Sequence, residues 1–422
     1  MFKKVKSKIT SSEEKKQLVS NVLSLGVLQC ANYILPLLTL PYLVRVLGPE
    51  YFGLLAFATA TIGYFTLISN YGFNLSATRE ISIYRDDPNK INEIFSSVMI
   101  VKTLLMLLCF FLMCLLVFSF DRFSKHWDVY FMTFGMVVGQ VYFPIWFFQG
   151  MEKMKYIVCL NLFSKSLFTV CVFLLVEDKN DYLLVPLLTF LGFLVSGGGA
   201  LFLVKKDFKV KFFWQPLGVL KKQLIDGWYV FLSSFSISLY TVSVVFILGI
   251  FTNNAVVGHY SAADKLIQAI KGFYTPVSQA IFPLIGRKMK KDKIGGLVFV
   301  RKVTWFVGAG MFFVSIIVYF SSTFIIDVLF GENYQESIFL LKLMAFLPFI
   351  IVLSNMYGVQ TMLNLGLKKL FSQILISAAL IGCVLSFLFI PKYEALGAVF
   401  VVLIVEIFVT LTMFLSLRKL KK

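Results

Sequence analysis

The chain has 422 residues, 59% of them hydrophobic, 17% aromatic and only 15% charged, with a mean hydropathy of +0.84. That composition excludes a soluble globular domain. The net charge of +18 would suggest nucleic acid in a soluble protein, but 30 of the 40 Lys and Arg residues fall on one side of a repeating apolar pattern. The positive-inside rule accounts for that bias, and no nucleic-acid partner is expected.

A bilayer-crossing helix needs about 20 mainly apolar residues. On that criterion twelve spans are predicted, at 19–44, 53–71, 97–119, 129–149, 156–176, 182–204, 228–251, 259–285, 303–324, 338–361, 370–390 and 396–416. Pro36, Pro41, Pro276 and Pro283 predict bends in the first and eighth. Basic residues crowd the alternate segments 1–18, 79–90, 153–155, 205–222, 287–302, 368–369 and 418–422. The opposite loops hold only Arg45, Arg122, Lys125, Lys179 and Lys392, so both termini are predicted to be cytoplasmic. The basic start and the lack of a small-residue cleavage site predict an uncleaved first span. All six cysteines lie within spans, so no disulfide framework is expected. His126 and His259 are the only histidines, and no metal site is expected.

The longest connection, 205–227, divides the chain into an N-terminal lobe, 1–204, and a C-terminal lobe, 228–422. The connection is basic and carries Phe212, Phe213 and Trp214, as a segment lying at the headgroups would. The two lobes look alike at their first outer turn. LGPEYFGLLAFATA places Gly53 before aromatic and small residues, and NNAVVGHYSAADKL places Gly258 likewise. Two six-span repeats of equal orientation are a recurring transporter plan, with the substrate path between them.

Span 8 carries the clearest polar stripe: Asp264, Gln268, Lys271, Thr275 and Ser278 fall within a sector of about 80° on a helical wheel. Such a stripe in a membrane helix faces a water-filled cavity or a partner. Asn21, Asn32 and Thr39 align similarly on span 1, and Ser234, Ser238 and Thr241 on span 7. These helices are expected to line a central cavity, although interhelical hydrogen bonding is the ordinary use of single hydroxyls. Lys165 and Glu406 lie near the middles of spans 5 and 12, where each charge costs on the order of 3 kcal/mol. For Lys165, binding an anion and pairing with a carboxylate both remain open; for Glu406, a neutral hydrogen-bonded carboxyl and a proton-coupling role do. Lys102 and Lys342 are expected to snorkel. The deep charge is mainly cationic, which suits a phosphate-bearing substrate.

PLLTLPYLVRVLGPEYFGLLAF at 36–57, NYGFNLSATREIS at 70–82 and FPIWFFQGMEKMKYI at 143–157 resemble the Wzx-type lipid-linked oligosaccharide flippases. These belong to the multidrug/oligosaccharidyl-lipid/polysaccharide exporter superfamily. The similarity continues at 254–264 and through IIDVLFGENYQES at 325–337, covering essentially the whole chain. The resemblance implies an all-α polytopic protein of the bacterial inner membrane, its twelve helices in two six-helix lobes forming a V around a cationic cavity. It implies alternating access and an undecaprenyl-pyrophosphate-linked oligosaccharide substrate. It also implies functional contact with a polysaccharide polymerase and a chain-length regulator.

Lys165, Lys271, Lys265, Arg45 and Arg79 are the expected substrate-binding cations, although Arg45 lies about 120° off the span 1 stripe by count. Gln268, Thr275, Asn32 and Ser238 are the expected polar lining. No cofactor is expected beyond a coupling proton or sodium ion, for which Asp264 is the first candidate and Glu406 the second. A multidrug extruder of the same superfamily would favour acidic cavity groups, whereas lysines outnumber the deep carboxylates here. A repeat-unit polymerase would need a long loop bearing catalytic carboxylates or arginines, and the longest outer stretch is about a dozen residues. An enzyme is therefore not expected.

Overall fold

The computed structural model describes residues 2–241 and 243–419; at 2–31, 33–34, 229, 233–234, 236–241 and 280 it describes the backbone without the side chain. Among the described residues the chain is almost wholly helical. The elements are α1 (Phe2–Asn70), α2 (Phe73–Ile83), α3 (Pro88–Ser119), α4 (Asp121–Ser124), α5 (Trp127–Tyr142), α6 (Ile145–Gly150), α7 (Met154–Leu175) and α8 (Leu184–Asp207). Then follow α9 (Leu217–Thr241), α10 (Ser243–Phe251), α11 (Asn254–Lys291), α12 (Lys293–Leu329), α13 (Gln335–Met344), α14 (Leu347–Tyr357) and α15 (Lys368–Lys419). A π-helix, Gly358–Leu363, follows α14 directly.

Among the described residues, eight helical segments are long and apolar enough to cross a membrane, against the twelve spans predicted. Two of the eight, Leu35–Ile83 and Lys368–Lys419, run to 49 and 52 residues. At 1.5 Å per residue the shorter would reach about 73 Å, more than twice the roughly 30 Å of hydrocarbon. Gly48 at φ 69° interrupts α1 and Glu394 at φ 49° interrupts α15, and the first segment turns again at Tyr71 and Gly72 before α2. Glycine takes that left-handed conformation without steric cost, and Pro49 follows Gly48, so α1 breaks there. α9 lies partly among residues whose side chains are not described, and α11 carries Asp264, Lys265 and Lys271 inside its apolar stretch.

The helix starts are set by local chemistry. The Asp87 carboxylate accepts from the amides of Asn89 at 3.0 Å and Lys90 at 3.2 Å, with Pro88 in the first turn of α3. Asn253 accepts from Val256 N at 2.9 Å to start α11, and Asp292 from Ile294 N at 3.0 Å to start α12. Large apolar side chains stand outward along several helices, such as Phe118 on α3 at 68% exposure and Phe320 on α12 at 78%. Exposed patches of that size mark a surface that meets lipid.

By contacts the chain forms two compact units: Met1–Thr39 with Thr61–Phe235, and Leu40–Ala60 with Ser236–Lys422. Residues 40–60, which the sequence places in the N-terminal lobe, thus group with the later helices. In the first unit the core gathers Phe73, Ile81, Phe95, Trp146, Phe147 and Phe148, with Trp146 fully buried. The rings of Phe95 and Trp146 lie 5.8 Å apart. The FPIWFFQG stretch is therefore a packing motif. In the second unit the core packs Tyr274, Ile285 and Met289 of α11 with Val300 of α12 and Val352 and Met356 of α14.

Candidate functional site

Among the described residues, one polar constellation in each unit gathers site residues expected from the sequence. In the first, Asn161, Ser164, Lys165, Phe168 and Thr169 share one face of α7 by their i, i+3, i+4 spacing. They line a cavity of about 200 Å³ with Thr39 of α1 and Thr189 and Ser196 of α8. Lys165 Nζ donates to Asn32 Oδ1 of α1 at 2.5 Å, an amide in place of the carboxylate partner that the sequence left open. Most neighbouring polar groups turn to their own helix: Thr189 Oγ1 donates to Val185 O at 2.8 Å, Ser196 Oγ to Phe193 O at 3.0 Å, and Asn161 Nδ2 to Ile157 O at 3.0 Å. Ser164 Oγ is buried with no partner. An ammonium amid hydroxyls and amides can donate to an anionic oxygen or to several sugar hydroxyls. Asn161, Ser164, Thr169, Thr189 and Ser196 went unnoticed in the sequence, though their spacing on α7 and α8 was a readable signal.

The second constellation is the α11 stripe. Gln268 Nε2 donates to Asp264 Oδ2 at 2.5 Å. The charge of Lys271 bears on both candidate coupling carboxyls, Asp264 of α11 and Glu406 of α15. Lys265 also acts on Asp264 but is itself exposed. Further along, Gln360 Nε2 donates to Ser278 Oγ at 2.9 Å, and Ser278 Oγ donates to Asn355 Oδ1 at 2.9 Å. Tyr274 completes the set by donating to Asn355 Oδ1 at 3.0 Å. Thr275 lies on the same helix, half-buried. Asn355 and Gln360 were missed because five residues separate them, which is off one face of an α-helix. The π-turn at 358–363 restores the alignment.

Two cations sit on helix ends. Arg45 donates through Nε to Leu329 O at 3.0 Å and through Nη2 to Val328 O, both in the last turn of α12. Those carbonyls lack intrahelical partners and carry the negative end of the dipole. Lys102 does the same in the first unit, its Nζ donating to Gln140 O near the end of α5 at 3.2 Å. Lys102 does not snorkel: it is 1% exposed and points into the bundle. The expected escape fails because an unmet carbonyl lies closer than the headgroups. Arg79 is exposed on α2, and the side chain of Ser238 lies outside the described residues.

The fold is that of multispan exporters and lipid flippases. It superimposes on an inward-facing multidrug resistance MATE family transporter of the MOP superfamily with a TM-score of 0.73 and 13% identity, covering 91% of this chain and 94% of that one. Against the lipid II flippase MurJ in an inward closed conformation the TM-score is 0.67 at 14% identity, over 95% of this chain and 87% of the other. At such identities the likeness is one of fold.

The profile of the polysaccharide biosynthesis protein family matches residues 18–289, and the chain belongs to that family. Two relatives share the name "Putative O-antigen transporter". The one from Escherichia coli (strain K12) is 34% identical over 95% of this chain and 97% of its own length. The one from Shigella dysenteriae is 29% identical over 94% and 99%. The family resemblance read from the sequence therefore holds, and the protein is a multi-pass protein of the bacterial inner membrane.

Proposed function

We propose that the protein is a flippase that moves undecaprenyl-pyrophosphate-linked oligosaccharide repeat units from the cytoplasmic to the outer leaflet by alternating access. On this reading it crosses the membrane twelve times with both termini cytoplasmic, and it performs no covalent chemistry. The observation that carries the substrate class is the cavity around Lys165, where one ammonium meets a set of hydroxyls and amides between α1, α7 and α8. A pyrophosphate would replace Asn32 as the partner of Lys165, since a doubly charged acceptor binds an ammonium more strongly than a neutral amide. The hydroxyl-bearing wall suits a sugar.

In the second unit, the charge of Lys271 acts on Asp264 and Glu406, a cation with two carboxyls, the elements of a proton- or sodium-driven reset. Relatives named as O-antigen transporters support the polysaccharide assignment. The test is transfer of a labelled lipid-linked oligosaccharide in liposomes containing the purified protein. Lys165→Ala should lower the rate by about 10-fold or more, the loss of a charged hydrogen bond, while Lys165→Arg retains part of it. Full activity of a correctly inserted Lys165→Ala protein refutes the assignment.

A further inference from the structure

The basic connection after α8 is more than a tether. Residues 209–214 cross the end of α3 and are fastened to it by two hydrogen bonds: Lys211 N donates to Asn92 Oδ1 at 2.8 Å, and Phe213 N to buried Ser96 Oγ at 3.0 Å. Val210 plugs inward at 8% exposure, and its amide reaches Val204 O at 3.4 Å. To make that turn Lys209 adopts φ 54°, a left-handed conformation unfavourable for lysine. Structure is thus spent on giving this segment one shape.

Beneath it lies a cavity of about 900 Å³. Phe95, Met99, Thr103 and Leu107 form one wall along a single face of α3, and Leu201 and Val204 of α8 contribute the opposite one. The mouth carries Lys205, Lys209 and Lys211, all exposed, beside Phe212 and Trp214. From Phe95 to Leu107 the wall runs about 18 Å. That is close to the roughly 15 Å of hydrocarbon in one leaflet. The walls are apolar, the rim is cationic and aromatic, and the depth matches an acyl chain.

We infer that this cavity binds one anionic phospholipid of the cytoplasmic leaflet, with its phosphate among Lys205, Lys209 and Lys211 and an acyl chain along α3. The leaflet follows from the proposed orientation; the binding chemistry does not depend on it. Charge complementarity selects the occupant. A lysine near a membrane surface favours an anionic headgroup by roughly a factor of 5, so three on one rim should separate phosphatidylglycerol from phosphatidylcholine by on the order of 100-fold. An apolar slot of this length has no use for free phosphate.

The test is lipid retention by the full-length protein in detergent, read by native mass spectrometry against added phosphatidylglycerol, phosphatidylcholine, inorganic phosphate and a polyprenyl pyrophosphate. Phosphatidylglycerol should be retained at one molecule per chain in clear preference to phosphatidylcholine and inorganic phosphate. Replacing Lys205, Lys209 and Lys211 together by Gln should remove that preference. The same replacement at Lys290, Lys291 and Lys293 should leave it intact. Thr103→Trp, which fills the slot, should abolish retention without touching a charge. Equal retention of both phospholipids, or unchanged retention by the Lys→Gln protein, overturns the inference. So does full retention by a folded Thr103→Trp protein, which would reduce the lysines to a surface patch. Displacement by polyprenyl pyrophosphate but not by excess phosphatidylglycerol overturns it too, because the site would then belong to the transported lipid.

Discussion

Gly53 and Gly258 occupy corresponding places in the two halves, and the structure sets their backbones against each other within the second unit. A Cβ built on Gly258 would lie 2.0 Å from the Pro49 carbonyl oxygen, and one on Gly53 1.8 Å from that of Asn254. Ordinary contact begins at 3.4 Å, so the opposing backbone must recede by about 1.4 Å for Gly258→Ala and about 1.6 Å for Gly53→Ala. Neither obstacle is a side chain that can rotate away. Overpacking costs about 1–3 kcal/mol, and a rigid neighbour puts both variants at the upper end, near 3 kcal/mol. The double variant should cost clearly less than twice that, since one retreat of the backbone serves both methyl groups. Gly198→Ala and Gly310→Ala, which meet nothing within 4 Å, are the controls and should be neutral or slightly stabilising through helix propensity. Unfolding of the purified protein by SDS in mixed micelles measures each. Loss of less than about 0.5 kcal/mol in either crossing variant, or strict additivity in the double, refutes the shared close approach.

Arg45→Ala should destabilise the protein by about 1–2 kcal/mol by leaving the last carbonyls of α12 uncapped. A raised KM for the lipid-linked substrate at unchanged stability would instead make Arg45 a substrate contact. Lys102→Met should cost about 1–3 kcal/mol in the same unfolding assay, because the Gln140 carbonyl is left bare in a dry interior. Unchanged stability would mean that the carbonyl finds another donor. Asp264→Asn should leave the protein inserted while making flipping in liposomes insensitive to an imposed proton or sodium gradient. A wild-type gradient response removes Asp264 from the coupling role.

What could be read from the sequence was what periodicity carries. Helical apolar runs marked the membrane segments, and the regular phase of Asp264, Gln268, Lys271, Thr275 and Ser278 marked the polar face of α11. Matching glycines at 53 and 258 pointed to related turns, though not to their mutual contact. Hidden were the partners that lie far off in the chain. Lys165 meets Asn32 across 133 residues and Arg45 meets Leu329 across 284, and no local pattern encodes either pairing. The direction of Arg45 was further obscured because Pro36 and Pro41, each able to bend a helix, made the count along span 1 a poor guide to its phase. The chain from Gln360 through Ser278 to Asn355 was lost to a π-turn, whose extra residue shifts the face that an α-helical count assigns. Snorkelling misled at Lys102, since that rule weighs distance to the headgroups and ignores a bare carbonyl on a neighbouring helix.

The capping of α5 by Lys102 has a consequence for how the protein is made. When α3 leaves the ribosome it carries a lysine into the bilayer at a cost of up to about 3 kcal/mol. The carbonyl that receives this lysine belongs to Gln140, 38 residues further along. At about 5–20 residues per second that acceptor emerges roughly 2–8 s later. During this interval the apolar residues around Lys102 must hold the helix in the membrane alone, and the stretch keeps a mean hydropathy of 2.7 even with the lysine counted. Variants that thin that apolar surplus, such as polar replacements at Leu107 or Phe111, should therefore reduce membrane insertion during synthesis far more than they weaken the finished protein.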